Sequence, residues 1–335
     1  MSPSSPLDLL RDATDVTLLA HVRPDADALG SALALGRALH QRGATVRVSF
    51  ATPDAAGVGP RQGAGDSAVP ESLRGLDAGH LVVPADQVPA TSPLVICLDT
   101  PARARLGSLA DRLDTAGAVL VVDHHASNTR YGTHHVVDDT AEATAVLVLR
   151  LLDELGAPLD EPIARCLYAG LVTDTSGFRR ATPATHQAAA RLLEAGVDPD
   201  KLAREVVDDH PFAWLPMLAR VLATATLEPD AAQGFGLVHA VVTLEDAADV
   251  RLEEVEGVVD VVRSTREAEI AAVLKQQGPA EWTVSLRAIG KIDVSVAARS
   301  LGGGGHRLAA GATVTGTAGE CLAAVRAALE DAPLL

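Results

Sequence analysis

Each short apolar run in the first half of the chain stops at a histidine or an aspartate. Val16–Ala20 leads into His21-Val-Arg-Pro-Asp25-Ala-Asp27, Leu94–Leu98 into Asp99, and Ala118–Val122 into Asp123-His124-His125. The helical stretch Pro162–Val172 runs into Asp174. Near-continuous apolar runs of this length read as strands buried on both faces of a parallel sheet. Thr45–Phe50 reads as another strand. Leu29–Gln41, Ala141–Leu155, Pro162–Val172 and Pro183–Ala195 read as helices, the last closed by Gly196 as a C-cap. Alternation of this kind implies right-handed βαβ units and an α/β fold with a doubly wound, mainly parallel sheet. Ligands of open parallel sheets gather beyond the carboxyl ends of the strands. This architecture therefore brings His21, Asp25, Asp27, Asp99, His124, His125 and Asp174 to one rim.

Carboxylates packed that closely repel one another and cannot all ionise unless cations lie between them. Mixed histidine and aspartate ligation suits manganese, iron or zinc better than calcium, and fits manganese well. Two such ions sharing a carboxylate lower the pKa of a water towards 7 and hold a phosphoryl oxygen, which is the chemistry of phosphoester or phosphoanhydride hydrolysis. Taken singly, a strand-end aspartate is more often a turn or helix-capping residue, and a lone histidine pair is more often surface. The joint arrival of all of them at one rim carries the metal reading.

With 335 residues, two domains are expected. The 28 basic and 44 acidic side chains give a net charge of −16, which excludes a protein that coats long duplex nucleic acid. Aromatics at 2% exclude a long stacking platform for single strands. Neither excludes a small phosphate ligand in a local pocket. No uncharged run of about 20 apolar residues occurs, so no membrane span is expected. The start MSPSSPLDLLRD lacks the pattern of a secretory signal. Cys97, Cys166 and Cys321 are expected as buried thiols in a reducing cytoplasm. The stretch Pro53–Pro93, rich in Gly, Pro and Ala, yields no clear element. From Gly236 the pattern changes to the strands LVHAVVT, Glu269–Lys275 and Trp282–Ala288, a glycine run Gly302–Gly305, and a last helix over Ala318–Leu329. The expected division is a metal-binding catalytic domain over 1–206, a helical linker over 207–230, and a smaller α/β substrate-binding domain over 231–335. Four consecutive glycines can form an anion-binding nest of N–H groups, here followed by His306 and Arg307, although such runs are more often flexible loops.

HVRPDADALGS, the isolated Asp99, DHH at 123–125 and TDT at 173–175 resemble the four motifs of the DHH phosphoesterase family. GGGGHRLAAG, residues 302–311, resembles that family's associated C-terminal substrate domain. Size and organisation resemble the nano-RNases, bacterial enzymes that degrade very short RNA. Many of these also act on 3′-phosphoadenosine 5′-phosphate (pAp), and some relatives cleave linear or cyclic dinucleotides. The resemblance implies two manganese ions, one held by His21, Asp25 and Asp99, the other by Asp27, Asp99, His124 and Asp174, with Asp99 bridging. It implies catalytic roles for Asp99, for Asp123 in orienting a histidine, and for His125 in facing the phosphate or moving a proton. Asn128 would support its loop or contact substrate. Arg287, His306 and the backbone of Gly303, Gly304 and Gly305 would grip the substrate's terminal phosphate.

Four departures from the family pattern stand out. Ala26 replaces a frequent glycine and must avoid positive φ. Ser176-Gly177-Phe178 reverses a frequent Gly-Ser-Phe, Arg23 takes a usually neutral position, and Ala288 stands where serine is frequent. The expected function is manganese-dependent, two-metal hydrolysis of short RNA oligonucleotides and pAp, extending to linear or cyclic dinucleotides. The expected setting is a cytoplasmic protein with no membrane or long-duplex partner, and the family resemblance implies a homodimer. Alternatives are a DHH-type inorganic pyrophosphatase, whose C-terminal domain lacks a GGGGH loop, and a metal-free nucleotide sensor, which needs no such ligand set. A related single-strand exonuclease would need further nucleic-acid-binding domains.

Overall fold

The computed structural model describes residues 5–52 and 69–335. The first four residues of the N-terminal segment and the 53–68 part of the glycine- and proline-rich stretch lie outside the described residues. The chain divides into two compact units, the first running up to residue 52 and over 69–209, the second over 210–335.

The first unit is built from α1 (Pro6–Arg11), β1 (Asp15–Leu19), α2 (Ala26–Gln41), β2 (Thr45–Ser49), β3 (Leu94–Leu98), β4 (Ala118–Asp123), β5 (His134–Val137), α3 (Thr144–Leu155), α4 (Glu161–Asp174), α5 (Pro183–Glu194) and α6 (Pro199–Ala203). Its five strands are all parallel, in the order β2-β1-β3-β4-β5. The chain leaves β1 towards β2 on one side and returns to β3 on the other. The strand order therefore reverses between the ends of β1 and β3, the position where open sheets bind ligands. One face of the sheet is covered by α2 and α3, whose Leu29, Leu33, Leu147 and Val148 share a core with Val16, Leu18, Ile96 and Leu120, and α4 packs on these two helices. Strand β5 was not anticipated, because the half-buried His-His-Val-Val of this edge strand has no continuous apolar run.

Helix α2 begins three residues before the expected Leu29. Asp25 caps it, its Oδ1 accepting from the Ala28 N–H at 3.0 Å. That moves Asp27 into the first helical turn, where the exposed N–H groups favour negative charge. Ala26 is helical, so the absent glycine costs nothing there. Helices α2 and α4 approach closely at glycines. A Cβ on Gly30 would stand 2.4 Å from the Cys166 carbonyl oxygen, and one on Gly170 would stand 2.5 Å from Asp27 Oδ1.

The second unit comprises α7 (Trp214–Ala223), β6 (Thr226–Glu228), β7 (Leu237–Val242), α8 (Leu252–Val262), β8 (Ile270–Gly278), β9 (Glu281–Ala288), α9 (Val294–Ser300), β10 (Gly304–His306), β11 (Ala309–Thr315) and α10 (Ala318–Glu330). These form a six-stranded mixed sheet, β10-β11-β9-β8-β7-β6, in which only β7 and β8 run parallel. Met217 and Val221 of α7 and Val255, Val258 and Val259 of α8 cover one face. Ala297 of α9 and Leu322, Val325 and Leu329 of α10 cover the other. The segment 207–230, expected as a helical linker, carries α7 and β6, both packed within the second unit.

The glycine run departs from the expected nest. Gly302 N–H donates to Arg299 O at 3.0 Å and Gly303 N–H to Ala298 O at 2.8 Å, which closes the C-terminus of α9. Gly304 and Gly305 belong to β10, where they pair with Gly311 and Ala310. A Cβ on Gly303 would lie 2.0 Å from the Gly311 carbonyl oxygen. These glycines let two strands approach, and two of their N–H groups are already committed. All three cysteines are buried and free of disulfides. No helix among the described residues is long and apolar enough to cross a membrane.

Candidate active site

The rim residues emerge from five different elements. His21 follows β1, Asp25 and Asp27 open α2, Asp99 follows β3, Asp123 ends β4 with His124 and His125 beyond it, and Asp174 ends α4. Asp99 turns sharply off its strand, with φ at +53°, a region that aspartate tolerates better than most residues. Ligand atoms of His21, Asp25 and Asp99 lie within 4.8 Å of one another, and so do those of Asp27, Asp99 and His124. Asp99 is common to both groups. His21 Nε2 stands 3.6 Å from Asp25 Oδ2 and 3.8 Å from Asp99 Oδ2. His124 Nε2 stands 3.5 Å from Asp99 Oδ1 and 3.2 Å from Asp174 Oδ2. Asp27, Asp99, His21 and His124 are buried, whereas Asp25 is exposed.

Both imidazoles are oriented by backbone. His21 Nδ1 lies 2.9 Å from Val22 O, and His124 Nδ1 lies 3.1 Å from Ala141 O. A carbonyl only accepts, so each Nδ1 carries the proton and each Nε2 faces the carboxylates. A neutral Nε2 lone pair aimed at carboxylate oxygens is repulsive unless a proton or a metal lies between. Histidine metal ligands are commonly held in this way, with the second nitrogen donating to a carbonyl. This donor set fits divalent cations.

The titration behaviour expresses the same crowding. Burial, with Asp174 and Asp99 nearby, pushes Asp27 well above the usual carboxylate range. Burial and the charge of Asp25 push Asp99 up to about 6. Burial also raises Asp174, partly offset by its hydrogen bond to His124. Burial opposes charge on His124, but Asp174, Asp99 and Asp27 outweigh it and hold its pKa up at about 10.

Asp123 and His125 form a pair beside this cluster, with His125 Nδ1 2.7 Å from Asp123 Oδ1. His125 Nδ1 also lies 3.5 Å from Asp99 Oδ1. Burial works against ionised Asp123, yet hydrogen bonds from His125 and Asn128 keep its pKa low. Asn128, expected to support its loop or contact substrate, makes bonds of the first kind. Its Nδ2 donates to Asp123 Oδ2 at 2.6 Å, and its Oδ1 accepts from the Arg130 N–H at 2.7 Å.

Thr144, the buried first residue of α3, is a site residue that the motifs did not reveal. Its N–H donates to Asp27 Oδ2 at 2.7 Å and its Oγ1 to Asp99 Oδ1 at 2.8 Å, while Ala145 N–H donates to Asp27 Oδ1 at 2.8 Å. A hydroxyl residue at a helix start is the only local signal.

In the second unit, the register aligns two of the expected substrate residues. Arg287 on β9 pairs with Ala309 on β11, and Ala309 pairs with His306 on β10. Directly opposed residues share a face, so Arg287 and His306 stand on one face about 10 Å apart, with a small alanine between them. Arg287 Nε lies 3.7 Å from Asp260 Oδ1 on α8.

Two family models match the chain, the N-terminal domain of the DHH family over residues 15–171 and the DHHA1 domain over residues 235–332. The chain is 32% identical over 307 residues to the bifunctional oligoribonuclease and PAP phosphatase NrnA of Thermus thermophilus, covering 90% of this chain and 84% of that protein. It is 27% identical over 345 residues to the cyclic-di-AMP phosphodiesterase GdpP of Geobacillus thermodenitrificans, covering 97% of this chain and 48% of that protein. Among solved structures, an exopolyphosphatase-related protein of Bacteroides fragilis matches with a TM-score of 0.81 at 24% identity, covering 96% of this chain and 93% of that one. That likeness is one of fold.

Proposed function

The chain belongs to the DHH family of phosphoesterases, and on that footing we propose that it hydrolyses short RNA oligonucleotides and pAp with manganese, and extends to linear or cyclic dinucleotides. The observation that supports this most is Asp99, buried and shared between two groups of oxygen and nitrogen donors. His21, Asp25 and Asp99 would hold one cation. Asp27, Asp99, His124 and Asp174 would hold the other. Such cations supply Lewis acidity, drawing charge from a phosphoryl oxygen and making hydroxide available near neutral pH.

The chain's own residues do the rest. Thr144 and the amide of Ala145 fix the directions of Asp99 and Asp27. Burial opposes a charge on His125, but Asp123 and Asp99 raise its pKa above the ordinary histidine value. With Nδ1 bonded to Asp123, its Nε2–H can donate to a phosphoryl oxygen or to the departing alkoxide. Arg287 and His306, on one face of the second sheet, suit the grip on a terminal phosphate. Recognition through phosphate ends agrees with a chain that has few aromatics to stack bases. The DHHA1 match over 235–332 favours this reading over an inorganic pyrophosphatase, and the full donor set favours it over a sensor. We place the protein in the cytoplasm, where short RNA arises.

The test is a substrate panel on the full chain under manganese and under EDTA: di- to penta-ribonucleotides, pAp, cyclic di-AMP, pyrophosphate and long single strands. The expected result is the highest kcat/KM on short RNA and pAp, lost in EDTA. Turnover of pyrophosphate alone, or nucleotide binding without metal and without hydrolysis, would replace this reading with one of its alternatives.

A further inference from the structure

A guanidinium that none of the motifs predicts stands against His21, behind the ring that faces the carboxylate cluster. Arg105 lies in the 3₁₀ segment Arg103–Thr115 that follows Asp99. Its carbonyl accepts from the Val22 N–H at 2.8 Å, and its own N–H donates to Ala102 O at 2.9 Å. Two residues on, Gly107 has φ at +56°, and a Cβ there would lie 2.7 Å from Val22 Cγ2 and 3.1 Å from Ala51 Cβ. The loop bearing Arg105 is thus pinned onto the loop bearing His21.

The side chain is exposed, with Nη2 3.3 Å from His21 Nδ1. No hydrogen bond can form there while Nδ1 gives its proton to Val22 O at 2.9 Å, because a protonated ring nitrogen has no lone pair to offer. Among the described residues Arg105 makes no ion pair, and the imidazole it stands beside turns its other nitrogen, Nε2, towards Asp25 and Asp99. Arg105 is suited to an anion that arrives from solvent.

We propose that Arg105 binds a nonbridging oxygen of the phosphoryl group held at the cluster, an assignment that rests on the phosphoesterase reading. A planar guanidinium matches the spacing of phosphate oxygens. Its backbone is fixed before substrate arrives, so little reorganisation is needed on binding. Arg105 also answers an electrostatic problem. Asp25, Asp27, Asp99, Asp123 and Asp174 surround the site, and a fixed positive charge offsets their repulsion of an incoming phosphate.

The experiment titrates inorganic phosphate into the full chain loaded with manganese, by calorimetry, for the wild type, Arg105→Gln and Arg105→Lys. A separate titration measures manganese affinity in each. Arg105→Gln should weaken phosphate binding about 10- to 100-fold and leave manganese affinity unchanged, with Arg105→Lys recovering part of the loss. Unchanged phosphate affinity in Arg105→Gln would overturn the proposal, as would a wild type that binds no phosphate. A parallel loss of manganese affinity would also overturn it, because Arg105 would then act through His21. Phosphate binding decides the role of Arg105, whereas turnover of the substrate panel decides the reading beneath it.

Discussion

Asp99 carries a left-handed backbone, is buried, and stands within reach of three imidazoles. Asparagine tolerates the same backbone region and keeps the shape. Asp99→Asn should therefore fold normally and lower turnover on the order of 10³-fold. It should also raise the Tm of EDTA-treated protein at pH 8, since one member of a mutually repelling set is neutralised. Wild-type turnover in that variant would remove Asp99 from the site. Asp99, like His21, Asp25, Asp27 and His124, was legible from sequence because each follows a strand or opens a helix whose apolar pattern is plain. Thr144 was not, because its bond to Asp99 joins positions 45 residues apart. Arg105 was hidden for the same reason, its neighbour His21 lying 84 residues back. Gly303 shows another limit, since a glycine that lets strands approach and one that forms a nest are the same letter.

Helix α3 has Ala143 at its N-cap, which offers no side-chain bond. Asp27, on a different helix, satisfies its first two N–H groups instead. A carboxylate at that end is stabilised by the helix dipole, so α3 acts as a fixed mount for the site. Thr144→Val keeps the volume and loses the hydroxyl bond to Asp99. Manganese affinity should fall about 10- to 100-fold and return in Thr144→Ser. Unchanged affinity in Thr144→Val would show that Asp99 needs no such support. At this scale the sequence was informative about strands, Leu94–Leu98 being found over its expected span and Ala118–Val122 one residue longer. It was less so about the start of α2, where Asp25, weighed both as a helix cap and as a ligand, caps a helix that begins three residues before the expected Leu29. Arg287 on β9 and His306 on β10, proposed to grip phosphate, were named individually, but their common row needs the strand register, which no local pattern encodes.

Across the molecule, the net charge of −16 includes the carboxylates of the rim. Raised carboxylates such as Asp99, at about 6, stabilise the fold at low pH and lose that contribution as pH rises through the folded value. A raised histidine such as His124, at about 10, contributes below its ordinary value and loses that on approach to the folded one. The two losses share a sign. EDTA-treated protein should therefore show a falling Tm between about pH 5 and pH 9, and added manganese should raise Tm more at pH 8 than at pH 5.5. Calorimetric or fluorescence melts check this, and a manganese effect independent of pH would contradict it. The mount on α3 has one more consequence. The Thr144 and Ala145 amides are tied to Asp27, so the rate at which they take up deuterium should track how firmly that carboxylate is held. Two backbone positions could then report occupancy of the site in a sample with no substrate and no turnover.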